Sequence, residues 1–434
     1  METTVKKQNY TIPIIVMILL FGMISFVTNL ASPMGDILKN QFNIPNWQGT
    51  LGVFANFIAY AVMGIPSGNL LQKKGYKKTA LIAVIVGFIG VGIQTLSGVF
   101  GSFAIYLLGA FVAGFSMCLL NTVVNPMLNR LGGGGNKGNQ LIQIGGSFNS
   151  LCGTAVIIIT GLLIPSIVDA KISDVFPLMY TALGIFAFAF IVILLTKIPE
   201  NEQQQAKAEV KAEKGKGPMA FRHFVLGAIA IFIYVGVEVG IPNVLNKWLQ
   251  NPELNVLGTG VNAEAVAGSV AATYWFLMLI GRLVGGIIGS KVSAKAMLTT
   301  VSAIGIILTL LAMFGPSTMV KFPAFNGAHG FGMESIPLNA AFLVCIGLCT
   351  SVMWGGIFNL AVEGLGKYTE KASGIFMALV CGGGILPLLQ NAIVDGLGGT
   401  GYLQSYWVIV VGLAFLLFYA LWGSKNVNKD IPVD

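Results

Sequence analysis

Apolar residues in this chain run in blocks of membrane length, separated by short polar or charged breaks. A helix needs about 20 mostly apolar residues to cross a bilayer. Twelve stretches meet that length, at about 11–33, 47–71, 78–98, 101–128, 140–165, 175–196, 222–249, 264–289, 295–315, 336–362, 372–395 and 401–423. The pattern predicts an all-α membrane protein of twelve transmembrane helices. The charged segment KIPENEQQQAKAEVKAEKGKGPMAFRH divides them six and six. The expected organisation is a six-helix bundle over 1–198, a solvated cytoplasmic linker over 199–221 and a second six-helix bundle over 222–434.

Two internal echoes predict that the halves are related. Asn125, Leu131, Gly132 and Lys137 recur as Asn359, Leu365, Gly366 and Lys371, each 234 positions on. Gly64, Gly68 and Lys74 recur as Gly281, Gly285 and Lys291, each 217 positions on. Small residues four apart let helices approach closely, so one such copy is ordinary packing. Two copies at equivalent places point to duplicated halves with a seam between them.

Polar side chains inside the apolar runs mark where that seam lies, because such groups are costly against lipid. Span one offers Asn29 with Thr28 and Ser32, and span two offers Asn56 and Tyr60 one turn apart. Span four carries Asn121, Asn125 and Asn129 at four-residue spacing, and span five carries Gln143 and Ser147. Glu238 is the one carboxylate well inside a span. It reads either as a coupling or solute-binding group or as the partner of a nearby amide or hydroxyl. Gly240 and Pro242 follow it and offer a break in the helix. Arg282 and Glu363 read as cytoplasmic helix-end groups. Trp275 and Trp354 are candidates for stacking on a ring, and Gln390 and Asn391 make span eleven a further lining candidate. Many amides and hydroxyls at membrane depth suit a neutral polyol better than an apolar drug, because each buried solute hydroxyl needs a partner.

Composition narrows the picture further. Hydrophobic residues are 55% of the chain and charged ones 10%, against about 25% charged in soluble domains. The net charge of +8 does not indicate nucleic-acid binding, because the basic residues are spread over many short loops. With both termini inside, 21 of the 25 Lys and Arg residues fall on the cytoplasmic side, leaving Lys39, Lys171, Lys247 and Lys321 outside. The first apolar run lacks a small-residue cleavage site and reads as a retained span. The five Cys all sit in apolar runs without metal-ligand or redox spacing, and the two His add none, so no metal or cofactor is expected. GGGGNKG at 132–138 follows no strand and precedes no Lys-Ser/Thr pair, so it is not a phosphate cradle. No nucleophile–base pairing or paired carboxylates indicate an enzyme.

The segments FVTNLASP, IPSGNLLQKKGYKK, NPMLNRLGG, SFNS, FIYVGVEVGI and IFNLAVEGLGKYTEKASG resemble the fucose/glucose–galactose permease family of the major facilitator superfamily, through nearly the whole chain. The resemblance implies monosaccharide uptake across a bacterial cytoplasmic (inner) membrane by alternating access, with proton symport. It also implies acidic residues where this chain has Ser32 and Asn121, and a Gln where it has Gly146. Neither Ser nor Asn exchanges a proton near neutral pH. Three coupling modes stay open: a proton through Glu238, sodium through carbonyl and amide oxygens, or uncoupled facilitation. An N-acetylated or acidic sugar would also suit the loss of cavity carboxylates. From other classes, a non-transporting membrane sugar sensor and a drug or peptide exporter are the alternatives.

Overall fold

The computed structural model describes residues 10–42, 51–163, 171–200, 217–327, 330–428 and 430–433. Helix α1 spans Thr11–Phe42, α2 Leu51–Phe100, α3 Phe103–Leu131, α4 Gly135–Leu163 and α5 Phe176–Leu195. After the linker come α6 (Arg222–Gln250), α7 (Ala263–Ile288) and α8 (Ala294–Phe314). The chain ends in α9 (Leu338–Thr350), α10 (Met353–Val362), α11 (Thr369–Ala378), α12 (Gly382–Leu397), α13 (Gly401–Gln404) and α14 (Trp407–Phe418).

Nine stretches of the described residues are long and apolar enough to cross a membrane. One of them, within α2, is two spans folded at Gly75, whose φ of 78° only glycine adopts readily. The more polar α4 and the shorter apolar run Trp407–Gly423 complete the twelve. Two spans are interrupted. The break between α9 and α10 falls at Ser351–Val352, and a tight turn at Leu379–Cys381 separates α11 from α12. Span seven, by contrast, runs unbroken through Gly240 and Pro242 as part of α6, so the helix break expected there is absent. Most of the charged linker lies outside the described residues.

Between α8 and α9 the chain forms a feature that hydropathy does not mark. Strands β1 (Met319–Phe325) and β2 (Phe331–Pro337) pair antiparallel, with Phe325 opposite Phe331 and Met319 opposite Pro337. The hairpin is tied to the start of α7, where Ser269 Oγ accepts from Phe325 N at 3.0 Å.

Two seams join residues 10–200 to residues 217–433. The first sets α2 against α11 and α12, and the second sets α4 against α7 and α10. Glycine makes the first possible. A Cβ on Gly64 would collide with the Ala378 backbone, and one on Gly68 would lie 2.9 Å from Gly374 Cα. These contacts lie toward the end of the molecule that carries Lys73, Lys74, Lys291 and Lys371, termed here the basic end. Overpacking a filled site costs about 1–3 kcal/mol. Gly68→Val is therefore expected to lower the melting temperature of the purified protein. Gly92→Val, with nothing within 4 Å of its added Cβ, is expected to leave it unchanged. Equal melting of the two would refute the close approach.

Candidate functional site

The polar stripe of α3 is the first part of the site. Asn121 Nδ2 donates to Tyr60 Oη at 2.8 Å and to Met117 O at 3.1 Å. One turn on, Asn125 Nδ2 donates back to Asn121 O at 2.9 Å and to Asn121 Oδ1 at 3.3 Å. Asn125 Oδ1 in turn accepts from Trp354 Nε1 of α10 at 3.0 Å. Tyr60, Asn121, Asn125 and Trp354 thus form one relay that crosses from α2 through α3 to α10. The Trp354 ring is held edge-on by Tyr234 and Phe376, at 6.4 and 6.2 Å between centroids. An indole fixed in this way has one orientation for its single donor.

The second part depends on the break in span ten. A broken helix releases a carbonyl that must find a donor where no water reaches; here it is Ser351 O, whereas Val352 O accepts from Gly356 N at 3.2 Å and has room for a second bond. Gln143 Nε2 of α4 donates to Val352 O at 2.8 Å, and Ser147 Oγ donates to Gln143 O at 2.9 Å. Arg282 Nε of α7 donates to the neighbouring Ser351 O at 3.3 Å. The same guanidinium meets Glu238 Oε1 of α6 through Nη2 at 3.2 Å. Its Nη1 reaches α4, donating to Gly146 O at 3.2 Å and Ser150 Oγ at 2.8 Å. The charged side chains are 11% and 12% exposed, so the pair is open to a solute on a small area only.

This placement corrects the reading of Arg282 as a cytoplasmic helix-end group. It stands six residues inside α7, roughly 9 Å from the helix end at 1.5 Å per residue. The signal was present in the sequence, since an ionisable residue inside an apolar run is itself a marker. Glu238 has a cationic partner, where the sequence suggested an amide or hydroxyl. Glu363 caps α10, and its carbonyl bonds His223 Nε2 at 2.9 Å.

The remaining candidates lie outside this relay. Asn56 is buried beside Gly114 of α3, behind Tyr60. Asn29 turns back on its own helix, donating to Ser25 O at 2.9 Å and Ser25 Oγ at 3.0 Å, beside Gly153. The side chain of Ser32 lies outside the described residues. Trp275 is 38% exposed and lies two turns before Arg282, hence on the same face of α7. Gln390 is fully buried against Gly240 of α6, with neither amide atom hydrogen-bonded. Asn391 belongs to a separate cluster toward the other end of the molecule. It donates to Asn243 Oδ1 at 3.1 Å and accepts from Lys247 Nζ at 2.7 Å.

The geometry also defines a state. Among the described residues, the side-chain hydrogen bonds between the two parts of the chain fall between the level of Arg282 and the basic end. Besides those already given, Gln140 Nε2 donates to Gly286 O at 3.0 Å and Asn359 Nδ2 to Gly135 O at 3.1 Å. Ser373 Oγ donates to Thr122 O at 3.1 Å, and Tyr76 Oη to Glu370 Oε1 at 3.4 Å. The basic end is closed. An apolar hollow of about 190 Å³ between α1, α4 and α5, lined by Leu19, Phe26, Phe148 and Phe188, has almost no polar surface and cannot bind a hydroxylated solute. Among the described residues no cluster of His, Cys, Asp and Glu is placed to hold a metal.

Comparison with known proteins agrees with this architecture. The family model for the Major Facilitator Superfamily matches residues 14–388. A glucose/galactose transporter of Brucella abortus is 28% identical over 98% of this chain and 97% of its own length. The L-fucose-proton symporter of Escherichia coli is 22% identical over 91% and 89%. Among solved structures, the Major Facilitator Superfamily transporter FucP in the outward conformation superposes with a TM-score of 0.77 at 18% identity, over 96% of this chain and 100% of that one. The proton:xylose symporter XylE gives 0.66 at 15% identity, over 95% and 94%. The chain belongs to the Major Facilitator Superfamily, a family of transporters and not of enzymes.

The Trp354–Asn125 bond joins the two parts through a single donor and a single acceptor. Trp354→Phe and Asn125→Ala are each expected to destabilise the purified protein. In a double-mutant cycle their effects should fall short of additivity by about 0.5–1.5 kcal/mol. Additive effects would mean that the bond contributes nothing.

Proposed function

We propose that this protein is a secondary transporter that takes up a neutral monosaccharide across a bacterial cytoplasmic membrane. In this reading the basic end is cytoplasmic, both termini lie inside, and residues 1–198 and 222–434 are the two bundles that rock against each other. One observation carries the reading. Amide, hydroxyl and indole groups from α2, α3, α4 and α10 converge with a charge pair at one level of the seam, and none of these groups needs lipid. Sugar hydroxyls both donate and accept, and Asn and Gln side chains answer both roles. The names of the glucose/galactose and fucose relatives support the same substrate class.

Charge favours a neutral sugar over an acidic one. Arg282 and Glu238 cancel within 3.2 Å, so the pair offers no net charge to hold an anion. The solute site is assigned to Tyr60, Asn121, Asn125, Gln143, Ser147, Glu238 and Trp354, with Trp275 on the approach. Asn29, Asn56, Gln390 and Asn391 are assigned to the walls that support it.

Coupling is assigned to a proton carried by Glu238. It is the carboxylate that meets the solute level, and Ser32 and Asn121 carry no titratable proton. Sodium coupling finds less support, because the carbonyls at the break are already taken: Ser351 O accepts from Arg282, and Val352 O from Gln143 and Gly356 N.

Uptake of labelled glucose, galactose, fucose and an N-acetylated hexosamine into proteoliposomes tests the assignment, with an inward proton gradient, a sodium gradient or neither. The expected outcome is gradient-driven accumulation of a neutral hexose with protons only. Glu238→Gln is expected to reduce accumulation to the equilibrium level while sugar exchange continues. Retention of full accumulation by that variant would remove Glu238 from coupling. Binding without uptake of any sugar would favour a sensor.

A further inference from the structure

The other hydrogen bonds across the seam are made by single amides, hydroxyls or an indole. Arg282 is different. One guanidinium ties together α6, α7 and the span-ten break on one side of the seam, and α4 on the other. Its planar fork fixes the division of labour. Nε and Nη2 serve Ser351 O and Glu238 within the second bundle, and Nη1 alone reaches the first bundle. Release of the two Nη1 bonds would therefore free the cation from α4 without leaving its charge unpaired.

The receiving surface on α4 fits this role. Ser150 lies one turn beyond Gly146, so a hydroxyl and a carbonyl face Nη1 together. A Cβ built on Gly146 would sit 3.6 Å from Arg282 Cδ and 4.0 Å from Nη1. That is ordinary contact for a methyl group, but a longer side chain would occupy the place of the guanidinium. Backing the fork from behind, Gly281 lets Ser351 pack tightly onto α7. Trp275, on the same face two turns away, leads toward the same nitrogen.

We propose that Arg282 is a solute-responsive latch between the bundles. When the site is empty, Nη1 holds α4 through Gly146 O and Ser150 Oγ and keeps the basic end closed. When a sugar is bound, its hydroxyls take over Nη1, and α4 is released. The exchange replaces hydroxyl and carbonyl acceptors by hydroxyl acceptors, so the guanidinium stays hydrogen-bonded throughout. This rests on the sugar reading above only for the identity of the releasing group.

The test reads distance at the basic end by pulsed electron spin resonance. Spin labels are placed on Lys74→Cys and Lys371→Cys, both exposed at the basic end. Cys152, Cys345 and Cys381 are replaced by Ala. Without sugar, the parent is expected to give one short distance, and saturating glucose or galactose is expected to add a longer one. Ser150→Ala and Gly146→Leu are expected to raise the longer population several-fold without any sugar, whereas Gly146→Ala stays like the parent. The latch is overturned if Ser150→Ala keeps the parent's short distance without sugar, or if Gly146→Ala opens as far as Gly146→Leu. If Gly146→Leu does not fold, Ser150→Ala still decides. Opening by Ser150→Ala, with no sugar able to open the parent, keeps the latch and overturns sugar as its release. Opening of the parent by sugar, with Ser150→Ala closed, overturns the latch and leaves the sugar reading standing.

Discussion

A polar group on a membrane-spanning helix must find its hydrogen-bond partner inside the protein, because the bilayer core offers none. The site follows from this constraint. The amides of Asn121, Asn125 and Gln143 need acceptors, and the break at Ser351–Val352 releases the Ser351 carbonyl, which needs a donor. Arg282 Nε meets the released Ser351 O, and the Gln143 amide finds its acceptor in Val352 O, which takes it as a second bond. Leaving a buried donor or acceptor unpaired costs about 1–3 kcal/mol, whereas a typical made bond gains only about 1 kcal/mol net. The seam is therefore specific, since misaligned partners are penalised. It is also separable, since no single neutral bond is strong.

The two seams solve different problems. Along α2 and α11, backbones touch through Gly64, Gly68 and Gly374, and long side chains meet beyond them, where Tyr76 reaches Glu370. Contacts of this kind depend on shape and exclude water without directing any chemistry. Along α4, α7 and α10 the contact is made by side chains with defined donors, the same groups to which the solute site is assigned above. Under the proposed site, closure and recognition draw on shared atoms in the second seam, so a solute bound there competes for partners that hold the halves together, whereas the glycine seam parts or closes as a surface.

How much of this was legible in the sequence depends on whether the deciding interaction is local. Span number follows from length and apolarity, and the stripe Asn121–Asn125 is visible because four residues make about one turn. The partner of Asn125 is a tryptophan 229 positions away, and no periodicity points to it. Arg282 was misplaced because a basic residue near a span end reads as a loop charge under the positive-inside rule. The paired Glu238, 44 positions earlier, together with Gly146 O, Ser150 Oγ and Ser351 O, makes it tenable at depth. The break in span ten carries no Gly or Pro at Ser351–Val352. What the structure shows there is tertiary: side chains of α4 and α7 bond to its carbonyls. Pro242 shows the converse, a breaker residue inside an unbroken helix, where Tyr406 Oη donates to the neighbouring Ile241 carbonyl at 3.0 Å. Gln390 reads from the sequence as a cavity-lining residue with Asn391, but it is buried against Gly240 of α6, a contact between helices that spacing along one helix does not reveal. The hairpin β1–β2 is too short and too rich in Phe, Met and Pro for its alternation to stand out against the flanking spans.

An amide at position 121 has a consequence that reaches the charge pair. Asn121 donates to Tyr60 and accepts from Asn125, so the relay is satisfied in one protonation state. A carboxylate there could only accept when ionised. Tyr60 would then have to turn its own proton toward it, and the relay would change with each proton bound. With the amide, Tyr60 Oη acts as the acceptor and keeps its proton for a partner other than Asn121. The α3 wall is thus a fixed hydrogen-bonding surface that does not titrate. If Glu238 is the coupling carboxylate proposed above, a proton bound there acts first on the residue it touches, Arg282. Neutralising Glu238 removes the anion that draws the guanidinium toward α6 and shifts the weight of its bonding to Gly146 O, Ser150 Oγ and Ser351 O. Two of these three acceptors belong to the opposite bundle. Under the proton coupling proposed above, the protonation of Glu238 and the closure of the seam therefore act through the same guanidinium.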